Sequence, residues 1–305
     1  MKLPFKQLLI ALCAVATGYA LVLLFTGNTD PRDILQKLAS PTGLLAAALC
    51  ILNYLLRGLR WRMWMAHYQR PLGLFEGLRL YLAGYTFTPT PGNIGEAARG
   101  LLLTQQPLDP AQSLSIFGAE RLADLLCLLL LTLPGLWWFL MLPSIHASAW
   151  LPVLAIGMGM CAMIALVLLM KFGSALLARY LWLKQAWNCL STRPLIWLTL
   201  TVLAWTAQGM AMWLICRDSG ITITPVLATA FYALAMVGGA LSMLPAGLGG
   251  MEALLTGLLV AHGAVLGAAV SITVLVRVLT LWLAVAIGAV ALLYSAAFRK
   301  DIRLL

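Results

Sequence analysis

The residues that could do chemistry are charged side chains set inside long apolar stretches. A guanidinium group holds its N–H donors in a fixed fork that binds a carboxylate or a phosphate through two parallel hydrogen bonds. Such side chains in apolar surroundings predict either ion pairs between helices or a polar chamber that takes an anion, and the sequence leaves both open. The residues are the arginines Arg57, Arg99, Arg121 and Arg277, with the acids Glu96, Glu120, Asp124 and Glu252 as their supports.

The segment "ERLAD" carries three of these charges within five residues. Glu120 and Asp124 are four residues apart and therefore neighbours on a helix, where like charges repel, while Arg121 is three residues before Asp124 and can pair with it. Glu120 then needs another cation, which Arg99 or Arg57 would supply. We expect these groups to meet in one place.

Arg277 lies near mid-depth of the last apolar run, where an isolated arginine costs at least about 2.5 to 3.5 kcal/mol on insertion scales. Glu252 is the acid at the matching depth. We therefore expect these two residues to form an ion pair, and structural pairing and anion binding both remain open as its purpose.

Two apolar regions are broken by "PTPGNIGE" and "LPAGLGGME", which cannot continue a helix. Glu96 and Glu252 each stand three residues after a candidate N-cap, Asn93 and Gly249. They could complement the new helix terminus as a capping box does, or the terminus could hold an anionic headgroup while the acids orient arginines. The residues that form the predicted breaks are Pro91, Gly92, Asn93, Gly95, Pro245, Gly247, Gly249 and Gly250.

The elements that must position these residues are transmembrane helices. The chain has 305 residues, of which 62% are apolar and only 10% charged, and several apolar runs reach the ~18–20 residues that cross a bilayer. This excludes a water-soluble domain, and continuous Leu/Ala/Val runs exclude a membrane β-barrel. The sequence predicts an all-α polytopic integral membrane protein with six full spans, near residues 5–26, 42–57, 113–141, 150–170, 195–216 and 268–297.

The Lys and Arg residues of the connecting loops set the orientation. Loops rich in bases alternate with neutral ones, and the positive-inside rule then places both termini in the cytoplasm of a bacterial-type inner membrane. The same distribution explains the formal charge of +10, so no nucleic-acid partner is expected. Residues 171–194 are interpreted as an amphipathic helix on the inner membrane surface, with an ordinary loop as the alternative.

The two broken regions fit oppositely oriented re-entrant helical hairpins, at about residues 72–103 and 228–260. Non-helical backbone at membrane depth persists only when it is buried in protein or lines a wet cavity. Three full spans separate the hairpins, so they enter from opposite sides, as in transporters built from inverted repeats. We predict one transmembrane domain, 1–305, with halves 1–141 and 150–305.

Metal, cofactor and nucleotide sites are not expected. The six cysteines and three histidines are dispersed without ligand spacing, and the cysteines suit apolar packing. The Gly-rich loop that ends in Gly-Lys-Ser/Thr, which binds ATP, is missing from the sequence. Transport by such a chain would be passive, or driven by an ion gradient or the membrane potential.

The motifs "NYLLRGLRW", "PGNIGEAARG", "ERLAD", "LPAGLGGMEALL" and "VLVR" follow one another in the order typical of one family. With these motifs, nearly the whole chain resembles the lysylphosphatidylglycerol synthase transmembrane-region family, the flippase half of bifunctional aminoacyl-phospholipid synthases. Ala246 stands where the family's second turn is expected to have glycine, which leaves the turn intact. The soluble aminoacyl-transferase domain is expected to be missing, so aminoacyl transfer is not expected.

The resemblance implies a lipid translocase that moves an anionic or aminoacylated phospholipid, or a polyprenyl-linked lipid. We hypothesise that the four arginines named above contact its headgroup and that the chain is not an enzyme. The alternatives are an integral-membrane transferase acting on a lipid-linked substrate, with Glu96 as general base, and a non-catalytic scaffold. A homodimer and a lipid-synthesising partner enzyme stay open.

Overall fold

The computed structural model describes residues 31–90, 96–97, 99–100, 103, 108–141, 181–242, 244–295 and 297, and these are nearly all helical. Ten α-helices lie within those ranges. In chain order they are α1 Pro31–Ala39, α2 Pro41–His67, α3 Leu74–Ala83, α4 Pro110–Leu140, α5 Leu181–Ser191, α6 Pro194–Asp218, α7 Pro225–Leu241, α8 Gly250–Ala261, α9 Leu266–Arg277 and α10 Leu283–Tyr294. A π-helical turn, Val278–Trp282, joins α9 to α10.

Four of the six predicted spans lie in this part of the chain, and all four are helices long and apolar enough to cross a membrane. They are α2, α4, α6 and the continuous rod from α9 to α10, of 27, 31, 25 and 29 residues. The other two predicted runs, 5–26 and 150–170, lie outside the described residues, so the count of six stays a prediction. Helix α2 continues ten residues past its predicted end, because Trp61, Trp64 and Met65 bury its face there.

Proline sets the starts of the long helices. Four of them begin with Pro at the first helical position, where its missing N–H and fixed φ do no harm: α2, α4, α6 and α7. Ser40 Oγ accepts from Gly43 N at 3.0 Å to cap α2, and Thr224 Oγ1 accepts from Leu227 N at 3.3 Å to cap α7. These local signals are readable in the sequence.

Helices α2 and α6 form the centre of the structure and run antiparallel. Asn53 Nδ2 donates to Ala204 O at 2.7 Å, and nearer the other end of α2 Trp64 Nε1 donates to Cys189 O at 2.9 Å, just before α6 begins. Glycines bring α7 close on two sides. A Cβ at Gly135 of α4 or at Gly209 of α6 would collide with α7, so small residues set these distances, as is common between membrane helices.

The second predicted hairpin is present as two helices, each shorter than a span. Helices α7 and α8 have 17 and 12 residues and lie antiparallel at the turn, where Gly239 touches Met251 and Gly250 touches Ser242. Between them a short 3₁₀ turn, Pro245–Gly247, includes Ala246 with φ of 53°. The predicted interruption is therefore confirmed, while entry into a membrane from one side stays a prediction.

The first predicted hairpin differs from the second. Its first arm is α3 followed by a 3₁₀ turn, Gly84–Phe87. The described residues after the break, at 96–97 and 99–100, have 3₁₀ backbone, so Glu96 does not lie in the first turn of an α-helix, contrary to the prediction from the candidate N-cap at Asn93. Side-chain pairing explains the difference, because the Glu96 and Arg99 side chains turn inward to the ion pairs described below. The break residues Pro91, Gly92, Asn93 and Gly95 lie outside the described residues.

The segment interpreted as amphipathic, 171–194, is described from residue 181 onward and is helical there as α5. Trp182 and Trp187 face outward, while Ala186 and Cys189 are buried against the rest of the protein. Burial raises the pKa of the Cys189 thiol to about 11. The helix is amphipathic as expected, and its contact with a membrane surface stays a prediction.

Candidate functional site

Glu96 is the acid on which the first group of charges converges. Its Oε2 accepts from Arg99 Nη2 and, at 2.9 Å, from Arg121 Nη2 of α4, while its Oε1 accepts from Thr88 Oγ1 at 2.9 Å. The carboxylate is 1% exposed. Both oxygens are therefore committed to side chains, and Glu96 orients two arginines, as one of the two sequence interpretations requires.

Arg99 joins this acid to a second one. Its Nη1 lies 3.1 Å from Glu120 Oε2, so of the two partners predicted for Glu120, Arg99 and Arg57, it is Arg99 that pairs with it. The guanidinium stacks over Tyr81 at 4.3 Å and approaches Tyr85 at 5.6 Å, positions from which aromatic faces attract a cation. Gly84 makes this possible, because a Cβ there would overlap the Arg99 side chain.

Asp124 takes two arginines from one face of α2. Arg57 Nη2 and Arg60 Nη1 each lie 2.8 Å from one of its oxygens, and Trp205 Nε1 of α6 donates to Oδ1 at 3.2 Å. Arg60 also donates to Thr201 Oγ1 at 2.7 Å. Helices α2, α4 and α6 are thus tied together at one carboxylate.

We call these seven residues the central cluster: Arg57, Arg60, Arg99, Arg121, Glu96, Glu120 and Asp124. Four guanidinium groups share three carboxylates, which leaves one positive charge in excess. Six of the side chains are at most 8% exposed, whereas the side chain of Arg121 is 31% exposed. Buried Nε atoms of all four arginines, with Nη2 of Arg60, make no hydrogen bond in the described structure.

A cavity of about 290 Å³ opens beside the central cluster. Arg121 and Asp124 line one part of it, and Ala246 and Gly247 of the second hairpin turn line another. Most other lining residues are apolar, such as Leu125 and Met236 of α4 and α7. The cavity therefore joins an excess of positive charge to the exposed backbone of a broken helix.

The second charged site lies at that turn, and we call Glu252 and Arg277 the hairpin-turn pair. Arg277 Nε donates to Glu252 Oε1 at 2.7 Å, which confirms the predicted pairing, and its Nη2 donates to Ala246 O at 3.0 Å. Glu252 Oε2 accepts from the backbone N–H of Gly249 at 2.7 Å. One carboxylate thus caps the start of α8 and orients an arginine, and a headgroup at this terminus stays a prediction.

The helical rod that carries Arg277 is supported at its irregular point. In the π-helical turn after Arg277, the hydroxyl of Tyr54 from α2 donates to Leu279 O at 2.7 Å and lies 3.2 Å from Thr280 O. Such turns occur mostly as single interruptions near functional sites. The position of Arg277 is therefore set from α2 as well as from the hairpin.

The structure brings all eight predicted charged residues into ion pairs, in two groups. One pairing is corrected: Arg121 pairs with Glu96 and not with Asp124, because α2 already supplies two arginines to Asp124. Sequence reasoning missed Arg60, although its spacing of three from Arg57 on one helix face was a usable signal. It also missed Tyr81, Tyr85 and Trp205, whose aromatic types alone carried no signal. The predicted turn residues Pro245, Gly247, Gly249 and Gly250 lie at the second break.

Comparison with known proteins identifies a family for this chain. The family model described as the lysylphosphatidylglycerol synthase TM region matches residues 8–288, which is nearly the whole chain. A search of curated proteins finds no match.

Proposed function

From the premise that the chain belongs to the lysylphosphatidylglycerol synthase transmembrane-region family, we propose that it is a lipid translocase. Its cargo is an anionic or aminoacylated phospholipid, or a polyprenyl-linked lipid. It moves this lipid across a bacterial-type cytoplasmic membrane in which both termini face the cytoplasm. The observation that carries the proposal is the central cluster, with its excess positive charge beside a cavity.

The excess charge is the reason for proposing an anionic ligand. Removing a charge from water costs free energy unless a counterion and hydrogen bonds compensate it. The cluster has three carboxylates for four guanidinium groups, so one positive charge has no counterion within it. A lipid phosphate supplies one negative charge and several acceptor oxygens. Arg121 meets it first, because it is the partly exposed arginine and lines the cavity.

Arg121 can turn toward a phosphate without leaving Glu96 uncompensated. Glu96 keeps Arg99 and Thr88 when Arg121 turns toward a ligand, so the carboxylate stays compensated. At the other side of the cavity, Arg277 is fixed against the hairpin turn by Glu252 and Ala246 O. A headgroup would pass between these two sites while its hydrocarbon chains stay in the bilayer, driven passively, by an ion gradient or by the membrane potential.

The test is lipid movement in vesicles reconstituted with the full chain. We expect labelled phosphatidylglycerol to exchange between leaflets faster than in empty vesicles, and Arg121→Gln to remove most of that acceleration. Because Arg121 is partly exposed, its replacement should lower the free energy of unfolding by less than about 1 kcal/mol. Arg217→Gln, which removes an arginine stacked at 5.7 Å on Trp213, is the control and should exchange lipid like the wild type.

Two results would contradict the proposal. The first is that wild-type vesicles exchange every tested lipid no faster than empty ones, and the second is that Arg121→Gln matches the wild-type rate. Mass spectrometry of the lipids after the assay addresses the transferase alternative, because a transferase would leave chemically altered lipid.

A further inference from the structure

A second concentration of positive charge lies at the end of two spans, away from the central cluster. Helix α2 ends at His67, and α6 begins at Pro194 beside it, so the residues around this point lie where both spans leave the apolar region. Here the interfacial pocket, which we define by Arg62, His67, Thr192 and Arg193, has a volume of about 350 Å³. When α2 and α6 span a bilayer, we expect the ends of these helices to lie at the headgroup region of one leaflet.

The positive charge of this pocket is not compensated by any residue that lines it. None of its nine lining residues is acidic, and two are arginines. Arg62 donates from Nε to Leu72 O at 2.6 Å, which fixes its stem and leaves the two Nη groups directed elsewhere. In the described part of the chain neither Arg62 nor Arg193 forms an ion pair. Glu76 lies on the first turn of α3 and does not line the pocket.

The backbone holds Arg193 in place. It has φ of 49° and ψ of 59°, a left-handed conformation that is rare outside glycine, asparagine and aspartate. This residue ends the short connection from α5 and is followed directly by Pro194 at the start of α6. The N-terminus of a 25-residue helix adds positive potential at the same point. Strained backbone of this kind is a reason to look for a role.

The polar rim is organised by a further hydrogen bond. Thr192 Oγ1 donates to Asn188 O at 2.9 Å and lies 3.3 Å from His67 Nδ1. The Thr192–His67 contact joins the end of α2 to the turn before α6 and holds the rim in one shape.

The floor of the pocket is apolar. Five of the nine lining residues are apolar, among them Leu59, Met63 and Leu72. A free phosphate ion would gain no favourable contact from these apolar side chains, whereas the first carbons of an acyl chain would pack against them. Basic pockets between helices at a membrane surface are known to bind the headgroups of anionic lipids.

We propose that the interfacial pocket binds one anionic phospholipid of the surrounding leaflet, with its phosphate between Arg62 and Arg193 and its first acyl carbons against Leu59 and Met63. This lipid stays bound at the surface and is not on the path between the central cluster and the hairpin-turn pair. The chemistry recognised is a phosphate group, and inorganic phosphate is the competing source.

The test uses the full chain in detergent and native mass spectrometry, with added dioleoylphosphatidylglycerol in one arm and inorganic phosphate in the other. We expect the wild type to retain one phosphatidylglycerol molecule more than the double variant Arg62→Gln with Arg193→Asn. Affinity should fall about fivefold for each arginine removed. Asparagine is chosen because it accepts left-handed backbone. Arg217→Gln is the matched control and should retain lipid like the wild type.

A second variant guards against misfolding. Arg193→Asn alone changes an exposed side chain that makes no side-chain hydrogen bond in the described structure, and it should still lower retention. Equal retention by all variants overturns the proposal, and phosphate adducts that disappear in the double variant while lipid adducts persist overturn the lipid as ligand. Arg121→Gln should keep this lipid, so the outcome is independent of whether the chain transports lipid.

Discussion

The central cluster and the hairpin-turn pair both join a glutamate near a Pro/Gly break to an arginine, and they differ in charge balance. In the hairpin-turn pair one acid meets one base, and the carboxylate also caps α8. In the central cluster three acids meet four bases, and each of the three carboxylates forms an ion pair with at least one arginine. The same sequence feature thus gives a charge-balanced ion pair in one place and a group of ion pairs with one excess positive charge in the other.

Burial sharpens this difference. The Glu252 carboxylate is 18% exposed, whereas those of Glu96 and Glu120 are 1% exposed. Charges held this far from solvent interact strongly, and loss of one partner leaves the other uncompensated. We therefore expect substitution of a buried acid of the central cluster to have a larger effect than the matching substitution in the hairpin-turn pair.

The largest effect is expected for Asp124→Asn. This change leaves Arg57 and Arg60 buried without their shared counterion, and removal of one partner of a buried pair destabilises by about 3 to 5 kcal/mol. Denaturant titration in detergent, followed by tryptophan fluorescence, measures the free energy of unfolding. If Asp124→Asn unfolds like the wild type, α2, α4 and α6 are not held together at this carboxylate and the comparison fails.

A smaller loss is expected for Gly84→Ala. The new Cβ would overlap the Arg99 side chain and push its guanidinium off Tyr81, so we expect the free energy of unfolding to fall by about 2 to 3 kcal/mol. Gly257→Ala on α8 is the matched control. A Cβ there meets no atom within 4 Å, and alanine favours the helix by up to about 1 kcal/mol. Equal behaviour of the two variants would show that Arg99 needs no such space.

Sequence reasoning went furthest where pairing depends on depth and local spacing. Glu252 with Arg277 followed from matching depth, and the second break followed from its prolines and glycines. The partners of Asp124 could not be predicted in this way, because they come from α2 and depend on how helices are rotated against each other. Arg60 was missed for a different reason. It lies just past the end of the predicted span and was therefore counted as a loop charge, whereas the longer helix α2 places it in the core.

Of these three substitutions, Glu252→Gln is expected to have the smallest effect, and it tests the role of the hairpin-turn pair. Glutamine keeps an oxygen that can accept from Gly249 N, so the cap on α8 survives while the charge on Arg277 loses its counterion. Arg277 retains Ala246 O, and Glu252 is partly exposed, so a loss of only about 1 to 2 kcal/mol in unfolding free energy is expected. Glu252→Ala removes the cap as well and should lose about 1 kcal/mol more. A loss for Glu252→Gln as large as that for Asp124→Asn would make the two regions equivalent, because both would then depend on an uncompensated buried arginine.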